Sequence, residues 1–469
     1  MTAVSPRGKV ALACLLAILH GFFFIWYQRP DWNTQWSDQE GYARLAAVLA
    51  KTGKFTPDPD ASRFVPEVIR TPAYPAFVAI VYRLLGTAHV FVAAAQTMLF
   101  ALICLVVFAI ARRVTSDSLA ATAALVTALF PPIPYFGALV MTEVWTTLLF
   151  TGTTGLVIYG LAARKRSTFA WAGVLMALTA LSRPAFAMYP VALVAVAAVL
   201  WPVFRVRAPV PFGHWMLMLA AFIVAMLPWF AYNYTAVGRL TLTPAGGIGR
   251  GVWEGSWQAK WPGRLQNDLT QLADRVDDPD ALDRDVGILA ARARLPADSM
   301  LRYVHQWQTL HRIWAAPTDP YERAMARVAA DRAYFRVGLE NIRRDGIGPQ
   351  IRRLLRGAFV LWAGEIPFRY SDINRLPAAA IRACWVVQAL VFAVAMVGIY
   401  IVGRVHSAEA WVLAAPIVYV TAVHVPFLNE ARQSLPAQPV LLILATVGAA
   451  HLWTRARGAS ATCHRTSGS

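Results

Sequence analysis

The chain has 469 residues, of which 57% are apolar and 15% charged, and its 44 lysines and arginines against 26 acids give a formal net charge of +18. Soluble domains average roughly 45–50% apolar and about 25% charged residues, so this composition excludes an ordinary soluble protein and also a disordered chain. The basic residues stand mostly in short clusters between apolar runs instead of along one polar face, so we expect no nucleic-acid partner.

Apolar stretches recur along the chain, and most come close to the roughly 20 residues that a membrane-spanning helix needs. They lie at 8–27, 88–111, 118–136, 142–163, 168–182, 185–204, 214–235, 378–403, 408–427 and 435–454. The fold class that they predict is an all-α polytopic membrane protein with about ten transmembrane helices, within a range of about nine to thirteen. Arg7 and Lys9 precede the first stretch and no cleavage signal follows it, so we expect an uncleaved anchor.

The basic clusters predict the orientation of the chain. Alternate connections carry Arg112 and Arg113, then Arg164, Lys165 and Arg166, then Arg205 and Arg207, then Arg404, and finally Arg455 and Arg457. Cytoplasmic loops are enriched in lysine and arginine, so these connections and both termini are expected in the cytoplasm. With this topology only Asp117 and Glu409 among the acids lie inside, and the others face outward.

Two of the predicted external segments are long. The first, 28–87, contains an amphipathic helical pattern from Gly41 to Leu49 and a short apolar run from Pro72 to Leu85, and both are expected at the membrane surface. The second is a largely helical polar segment with patterns from Asp274 to Arg294 and from Ala324 to Arg344. The predicted organisation is an N-terminal transmembrane module at 1–235 with about seven helices, an external segment at 236–377, C-terminal transmembrane helices at 378–454 and a cytoplasmic tail at 455–469.

Two acids stand at predicted outer membrane boundaries. Asp38 lies beside the first membrane helix, and Glu143 follows Thr142 at the start of another. Ordinary helix-end roles are open for both regions: Ser37 and Glu40 have capping-box spacing, and acids in a first turn complement the helix dipole. Acids at membrane boundaries are uncommon, however, and two on one side favour a single shared site with Asp38 as the principal candidate.

Three arginines complement these acids on the outer side. Arg70, Arg183 and Arg432 lie where positive charge is not needed for orientation, and a planar guanidinium binds phosphate in a bidentate manner. Arg183 has a second explanation, because it ends one helix before Pro184 starts the next.

The tryptophan repeat and the cysteines give weaker indications of function. Trp253, Trp257 and Trp261 would form one aromatic stripe on a helix, which fits either a sugar-stacking platform or, more commonly, an interfacial anchor. The four cysteines are widely spaced and show no metal-binding pattern, so neither a disulfide framework nor a zinc site is expected.

Several short motifs, in this order, resemble polytopic glycosyltransferases of the GT-C class, which includes protein O-mannosyltransferases and the enzyme that adds aminoarabinose to lipid A. They are Asp38-x-x-x-Tyr42 with Leu45-Ala46, Arg70-x-Pro72-x-Tyr74-Pro75, Thr142-Glu143, Leu181-Ser182-Arg183-Pro184, Leu227-Pro228-Trp229, Asn233-Tyr234, Val237-Gly238-Arg239, and Arg432 with Pro436 and Pro439. Their order covers most of the chain.

The resemblance implies an enzyme of the bacterial inner membrane that moves a sugar from a polyprenyl-phosphate carrier to an unknown lipid, glycan or protein acceptor at the outer face. Asp38 then corresponds to the catalytic acid of the first loop, with inversion at the anomeric carbon, and Glu143 to the acid of the second loop. The implied binding residues for the donor phosphate or substrate are Tyr42, Arg70, Tyr74, Arg183, Arg432 and Glu40. No cofactor is assigned, and a divalent metal stays open because Asp38-Gln39-Glu40 departs from the family's paired acids.

Two other classes stay open from the residues alone. A polytopic transporter or flippase also has many spans and a basic surface, but it typically binds substrate near the bilayer midplane on paired repeats. A lipid-linked polysaccharide polymerase or ligase uses the same carriers and is separated only by the motifs above.

Overall fold

The computed structural model describes residues 5–29, 32, 37–203, 210–258, 260–261, 263–315, 317–427 and 429–466. These residues form helices joined by loops, with no strand among them. Arg205 and Arg207, which the orientation prediction uses, lie outside this range, as do the side chains of Ser37 and Cys463.

The N-terminal half consists of apolar helices of unequal length and one polar helix, α2. In chain order they are α1 (Pro6–Gln28), α2 (Ser37–Thr52), α3 (Ala73–Leu85), α4 (His89–Ala111), α5 (Asp117–Ala128), α6 (Pro132–Gly137), α7 (Glu143–Ala163), α8 (Arg166–Ala180), a 3-10 turn at Pro184–Phe186, α9 (Tyr189–Val203) and α10 (Phe212–Val237). The two helices predicted in the first external loop are therefore present as α2 and α3.

The second half begins with polar helices and returns to apolar ones. They are α11 (Ile248–Trp257), α12 (Gly263–Arg275), α13 (Pro279–Ala293), α14 (Ala297–Ala315), α15 (Pro320–Asp345), α16 (Ile347–Phe359), a π-helical turn at Val360–Gly364, α17 (Tyr370–Ile373), α18 (Ala378–Val405), α19 (Ser407–His424), a 3-10 helix at Ala431–Ala437 and α20 (Gln438–Thr466).

Seven of the ten predicted spans are confirmed as helices long and apolar enough to cross a membrane: α1, α4, α7, α10, α18, α19, and α20 with the 3-10 helix before it. The other three correspond to α5, α8 and α9, which have 12, 15 and 15 residues. At 1.5 Å per residue such helices reach only about 18–23 Å, less than the roughly 30 Å of a hydrocarbon core. Pro131 and Pro132 interrupt the predicted stretch 118–136 and start α6, which limits α5.

Glycines allow the C-terminal helices α18 and α20 to touch backbone to backbone. A Cβ atom on Gly398 would lie 1.9 Å from the carbonyl oxygen of Leu444, and one on Gly448 would lie 2.1 Å from that of Val394. Small residues at helix crossings are the usual device for close packing in membranes. The 3-10 helix that precedes α20 packs mainly against α7, α19 and the π-helical turn.

The polar helices α11 to α15 have a hydrophobic core of their own. Trp253, Trp257 and Trp261 are 1%, 0% and 6% exposed, so the prediction of a sugar platform or membrane anchor is wrong. The predicted single stripe on a helix is also wrong for Trp261, because α11 ends at Trp257. Trp253 and Trp257 pack on α14, where Gln306 Oε1 accepts their indole N–H groups at 2.9 Å and 3.2 Å.

The helical pattern predicted from Asp274 to Arg294 is divided in the structure. Helix α12 ends at Arg275, and α13 begins after Asp278, whose side chain accepts a hydrogen bond from the backbone N–H of Asp280. A capping aspartate followed by a proline is a helix start, so Asp278-Pro279 separates two helices. The second predicted pattern, Ala324 to Arg344, is confirmed within α15. The predicted boundaries between membrane and external parts stay predictions.

We predict that Gly398→Ala destabilises the protein by about 1–3 kcal/mol or more, because its methyl group would overlap a backbone carbonyl that cannot move alone. Thermal unfolding in detergent measures the change. Gly403→Ala on the same helix is the control, since its new Cβ would be 3.7 Å from the nearest atom, an ordinary contact. Equal melting temperatures for both variants would contradict the close crossing.

Candidate active site

Asp38 lies in the first turn of α2, and the residue after it fixes that turn. Gln39 is buried, and its Oε1 accepts a hydrogen bond from the backbone N–H of Val140 at 3.1 Å. Successive side chains on a helix point about 100° apart, so anchoring Gln39 toward the protein turns its neighbour away. The Asp38 side chain is 47% exposed and is therefore open to a ligand.

The two oxygens of the Asp38 carboxylate face different arginines. Arg70 Nη2 lies 3.9 Å from Oδ1, and Arg432 Nη2 lies 3.8 Å from Oδ2. Both distances are those of ion pairs and exceed the usual length of a charge-assisted hydrogen bond, about 2.7–2.9 Å. The structure thus brings together three of the predicted site residues from opposite ends of the chain.

Arg70 is positioned by its own loop and by α2. Glu67 Oε1 accepts the backbone N–H groups of Ile69 (2.8 Å) and Arg70 (2.9 Å), which fixes the turn before the side chain. A Cβ atom on Gly41 would lie 2.2 Å from Arg70 Nη2, so any side chain at this position would displace the guanidinium. The guanidinium carbon is 5.1 Å from the centre of the Tyr42 ring, in cation–π range.

Glu143 is also brought to the site, but it is buried. Its side chain is 1% exposed, and Oε1 lies 3.3 Å from Arg183 Nη2 and 3.6 Å from Arg432 Nη1. Glu143 Oε2 and Arg183 Nη1 are buried without a hydrogen bond to another protein group. Thr142 is the N-cap residue of α7, but its side chain makes no capping hydrogen bond.

The backbone brings the segment of Arg183 beside that of Arg70. The N–H of Ala73 donates a hydrogen bond to the carbonyl oxygen of Leu181 at 3.0 Å. Arg183 itself precedes the 3-10 turn at Pro184–Phe186, as its place between two helices predicts. The two short arginine motifs of the sequence are therefore neighbours in space.

Arg432 is held by acids that the sequence analysis did not assign to the site. Glu430 accepts a hydrogen bond from Arg432 Nε, and Glu430 and Gln433 form a capping box around the 3-10 helix. The backbone N–H of Ala431 donates to Glu365 Oε2 at 2.8 Å. The Glu430-x-x-Gln433 spacing is a sequence signal for the capping box. Nothing in the sequence indicates the contact made by Glu365.

Arg250 on α11 is a further cation near Asp38 that sequence reasoning missed. Its Nε donates to Glu254 Oε1 at 2.8 Å. Burial lowers the pKa of Arg250, but the carboxylates of Glu254 and Asp38 raise it more, so the net pKa lies above its ordinary value. The polar helix α11 thus contributes charge to the surroundings of Asp38.

The two predicted tyrosines occupy different layers. Burial, followed by the charge of Asp38, raises the pKa of Tyr42 to about 12, so its hydroxyl keeps its proton. Tyr74 is completely buried behind it, with ring centres 5.1 Å apart, and donates to Gln96 Oε1 at 3.2 Å. Tyr74 is therefore placed to support Tyr42 and not to contact a ligand.

Glu40 lies away from the cluster. It is exposed, and within the described part of the chain no ion pair or hydrogen bond of its side chain reaches the other predicted site residues. Because successive helix positions diverge, Glu40 cannot share the direction of Asp38 two residues earlier.

The cluster does not have the composition of a metal site. Among the described residues, no group of three or more His, Cys, Asp or Glu side chains is placed to hold a metal ion. Arg432 lies between Asp38 and Glu143 and contacts both, so a guanidinium occupies the position of a bridging cation.

Comparison with protein families and solved structures gives a class for this fold. Residues 69–229 match the dolichyl-phosphate-mannose-protein mannosyltransferase family, a segment that contains Arg70, Glu143 and Arg183 and covers about a third of the chain. A search of curated protein sequences found no match.

The fold as a whole is similar to the oligosaccharyltransferase AglB of Archaeoglobus fulgidus in complex with an inhibitory peptide and a dolichol-phosphate, with a TM-score of 0.54 and 12% identity over 97% of this chain and 51% of that one. The apo form of the Archaeoglobus fulgidus enzyme has a TM-score of 0.53 and 12% identity, over 98% of this chain and 52% of that one. ArnT of Cupriavidus metallidurans bound to undecaprenyl phosphate has a TM-score of 0.42 and 16% identity, over 95% of this chain and 78% of that one.

The chain therefore has the fold of the GT-C class of membrane glycosyltransferases. Part of its sequence carries the pattern of the mannosyltransferase family within that class. It spans about half the length of the AglB chains.

We predict that Glu143→Gln destabilises the protein by about 3–5 kcal/mol, because it leaves Arg183 buried beside Arg432 without their shared carboxylate. Thermal unfolding of the purified protein measures the loss. The double variant Glu143→Gln/Arg183→Met should lose less than the sum of the two single variants, since no unpaired cation remains at position 183. Strictly additive losses would contradict the pairing.

Proposed function

We propose that the chain is an inverting glycosyltransferase that moves a hexosyl or pentosyl group from a polyprenyl-phosphate carrier to a lipid, glycan or protein acceptor. One observation carries this proposal: an exposed carboxylate, Asp38, stands between the guanidiniums of Arg70 and Arg432 within a GT-C fold. A base beside cations is the pair of groups that the transfer needs.

The proposed step is a single displacement at the anomeric carbon. The acceptor hydroxyl attacks that carbon as the bond to the carrier phosphate breaks, and Asp38 takes the hydroxyl proton. The new glycosidic bond forms on the face opposite the leaving phosphate, which inverts the configuration. The carrier phosphate leaves as an anion, so no further reactant is required.

Arg432 is the proposed principal contact of the leaving phosphate. It is held from one side by Glu430 and from another by Glu143, which restricts the side chain before any ligand binds. A positioned cation stabilises developing negative charge more effectively than a mobile one. Arg183 shares the Glu143 carboxylate with Arg432 and adds positive charge beside it.

Glu143 has a different proposed role from Asp38. Because it is buried and in contact with two arginines, it is placed to orient Arg183 and Arg432 rather than to meet the sugar or acceptor. Two carboxylates in one site thus take different roles through their environments.

The comparisons support a lipid-phosphate carrier. The matching family is named for dolichyl-phosphate-mannose, and AglB was solved with a dolichol-phosphate. Helix α7, which begins with Glu143, is long and apolar enough to span a membrane. The site therefore adjoins a region where a carrier's tail would lie in lipid. A transporter would instead place such groups near the bilayer midplane.

We predict that Asp38→Asn lowers the transfer rate by about 10²- to 10⁴-fold while leaving the binding of undecaprenyl phosphate within about threefold, because the amide cannot accept the proton. Glycan and lipid analysis of cells lacking the gene first identifies the component that loses a sugar, and transfer to that component is then measured.

Glu40→Gln is the matched control on the same helix, since Glu40 is exposed and outside the cluster. It should retain full activity. Unchanged transfer by Asp38→Asn would overturn the assignment of the base.

We propose that the site faces the exterior of the inner membrane, with both termini in the cytoplasm. In a cysteine-free background, Asp277→Cys on the exposed loop before α13 should react with a membrane-impermeant maleimide in cells whose outer membrane is opened. Lys165→Cys, exposed between α7 and α8, should react only after the inner membrane is permeabilised. The reverse labelling pattern would show that the orientation is inverted.

A further inference from the structure

A second group of arginines lies beside Asp38, on the side of Arg70. It comprises Arg44 of α2, Arg70 of the first loop, and Arg323 and Arg327 of α15, and we name it the outer arginine group. Burial lowers the pKa of Arg327, and the neighbouring charges of Arg323, Arg44 and Arg70 lower it further, whereas Glu67 opposes them. Arg44 lies three positions after Gly41, whose Cβ position is 2.2 Å from Arg70 Nη2, so it shares the face of α2 that meets Arg70. Arg323 lies four positions before Arg327 and shares its face of α15.

Trp314 connects this group to the candidate active site. The guanidinium carbons of Arg327 and Arg250 both lie 5.4 Å from the centre of its ring. Gly246, with φ of +69°, passes between Trp314 and Ile69 next to Arg70, with a Cβ position 3.3 Å from the indole ring. The outer arginine group and the surroundings of Asp38 are therefore continuous.

The acids near this group are already engaged. Glu67 Oε1 accepts two backbone N–H groups, Glu254 pairs with Arg250, and the two oxygens of Asp331 accept the backbone N–H groups of Gly249 and Arg250 at 3.4 Å. Arg327 Nε is buried without a hydrogen bond to another protein group. Arg70 faces Asp38, and Arg323 donates hydrogen bonds to the carbonyl oxygens of Pro317 and Thr318. Positive charge still remains at Arg44, Arg323 and Arg327, and a bound anion reduces the repulsion among them.

We propose that the outer arginine group binds an anionic group, a phosphate or a carboxylate, on the acceptor substrate. This inference rests on the proposed function. Asp38 separates two sets of cations, with Oδ1 toward Arg70 and Oδ2 toward Arg432. An inverting displacement has the acceptor and the leaving phosphate on opposite faces of the sugar. Cations on two sides of the base therefore match two anionic ligands.

The test uses the full-length protein in neutral-lipid nanodiscs saturated with undecaprenyl phosphate, so that the carrier site is filled. Glucose 6-phosphate is titrated by calorimetry, with glucose as the uncharged probe. We expect the phosphorylated sugar alone to bind. Arg327→Gln and, independently, the exposed Arg44→Gln should each weaken it about tenfold through loss of one charge-assisted contact.

Arg336→Gln is the matched control, because Arg336 is exposed on the same helix and nine positions after Arg327, which is about half a turn away in direction. It should change the affinity less than about twofold. Arg327→Lys, which keeps the charge, should recover part of the lost affinity. Equal affinity of the wild type and both Arg→Gln variants of the outer arginine group would overturn the proposal.

A separate titration with undecaprenyl phosphate distinguishes the source of the anion. Arg432→Gln should weaken the binding of this lipid, and Arg327→Gln should not. Equal weakening by both would assign the outer arginine group to the carrier and overturn the acceptor proposal. Full transfer activity of Asp38→Asn would instead defeat the proposed function, whatever the affinity for glucose 6-phosphate.

Discussion

The site depends on one arrangement, the Asp38 carboxylate held between the guanidiniums of Arg70 and Arg432. An exposed acid at a membrane boundary is stabilised by nearby cations, and those cations need their own supports. The glycine at position 41, the capping box before α20 and the buried Glu143 each supply one of these supports. The helices around the site hold these supporting residues in fixed positions relative to Asp38.

Burial divides the charged residues into two environments. Glu143 is almost without access to solvent and contacts two arginines, while Asp38 is open on one side and is accessible to a ligand. A similar division separates Tyr74, buried in the frame, from Tyr42, which lines the cluster. Residue type alone would assign the same role to both acids and the same role to both tyrosines. Their different burial distinguishes the two members of each pair.

The sequence was sufficient to predict the all-α membrane fold, because spanning helices follow from length and hydropathy. It overestimated the length of α5, since a hydropathy average does not register where prolines end a helix. It predicted the acids and arginines of the cluster from their place at membrane boundaries. It could not predict Glu365 or Arg250, because their proximity to the site arises only when distant helices pack. The tryptophans show the same limit: periodicity predicts the shared face of Trp253 and Trp257, but neither the partner of that face nor the end of α11 before Trp261.

The separation of Asp38 and Arg432 along the chain has a consequence for biosynthesis. Asp38 follows α1, whereas the cation that faces its second oxygen lies between α19 and α20. The cluster therefore cannot be complete until the helices from α1 to α19 have been synthesised, and until then Asp38 lacks one of the two cations that face it.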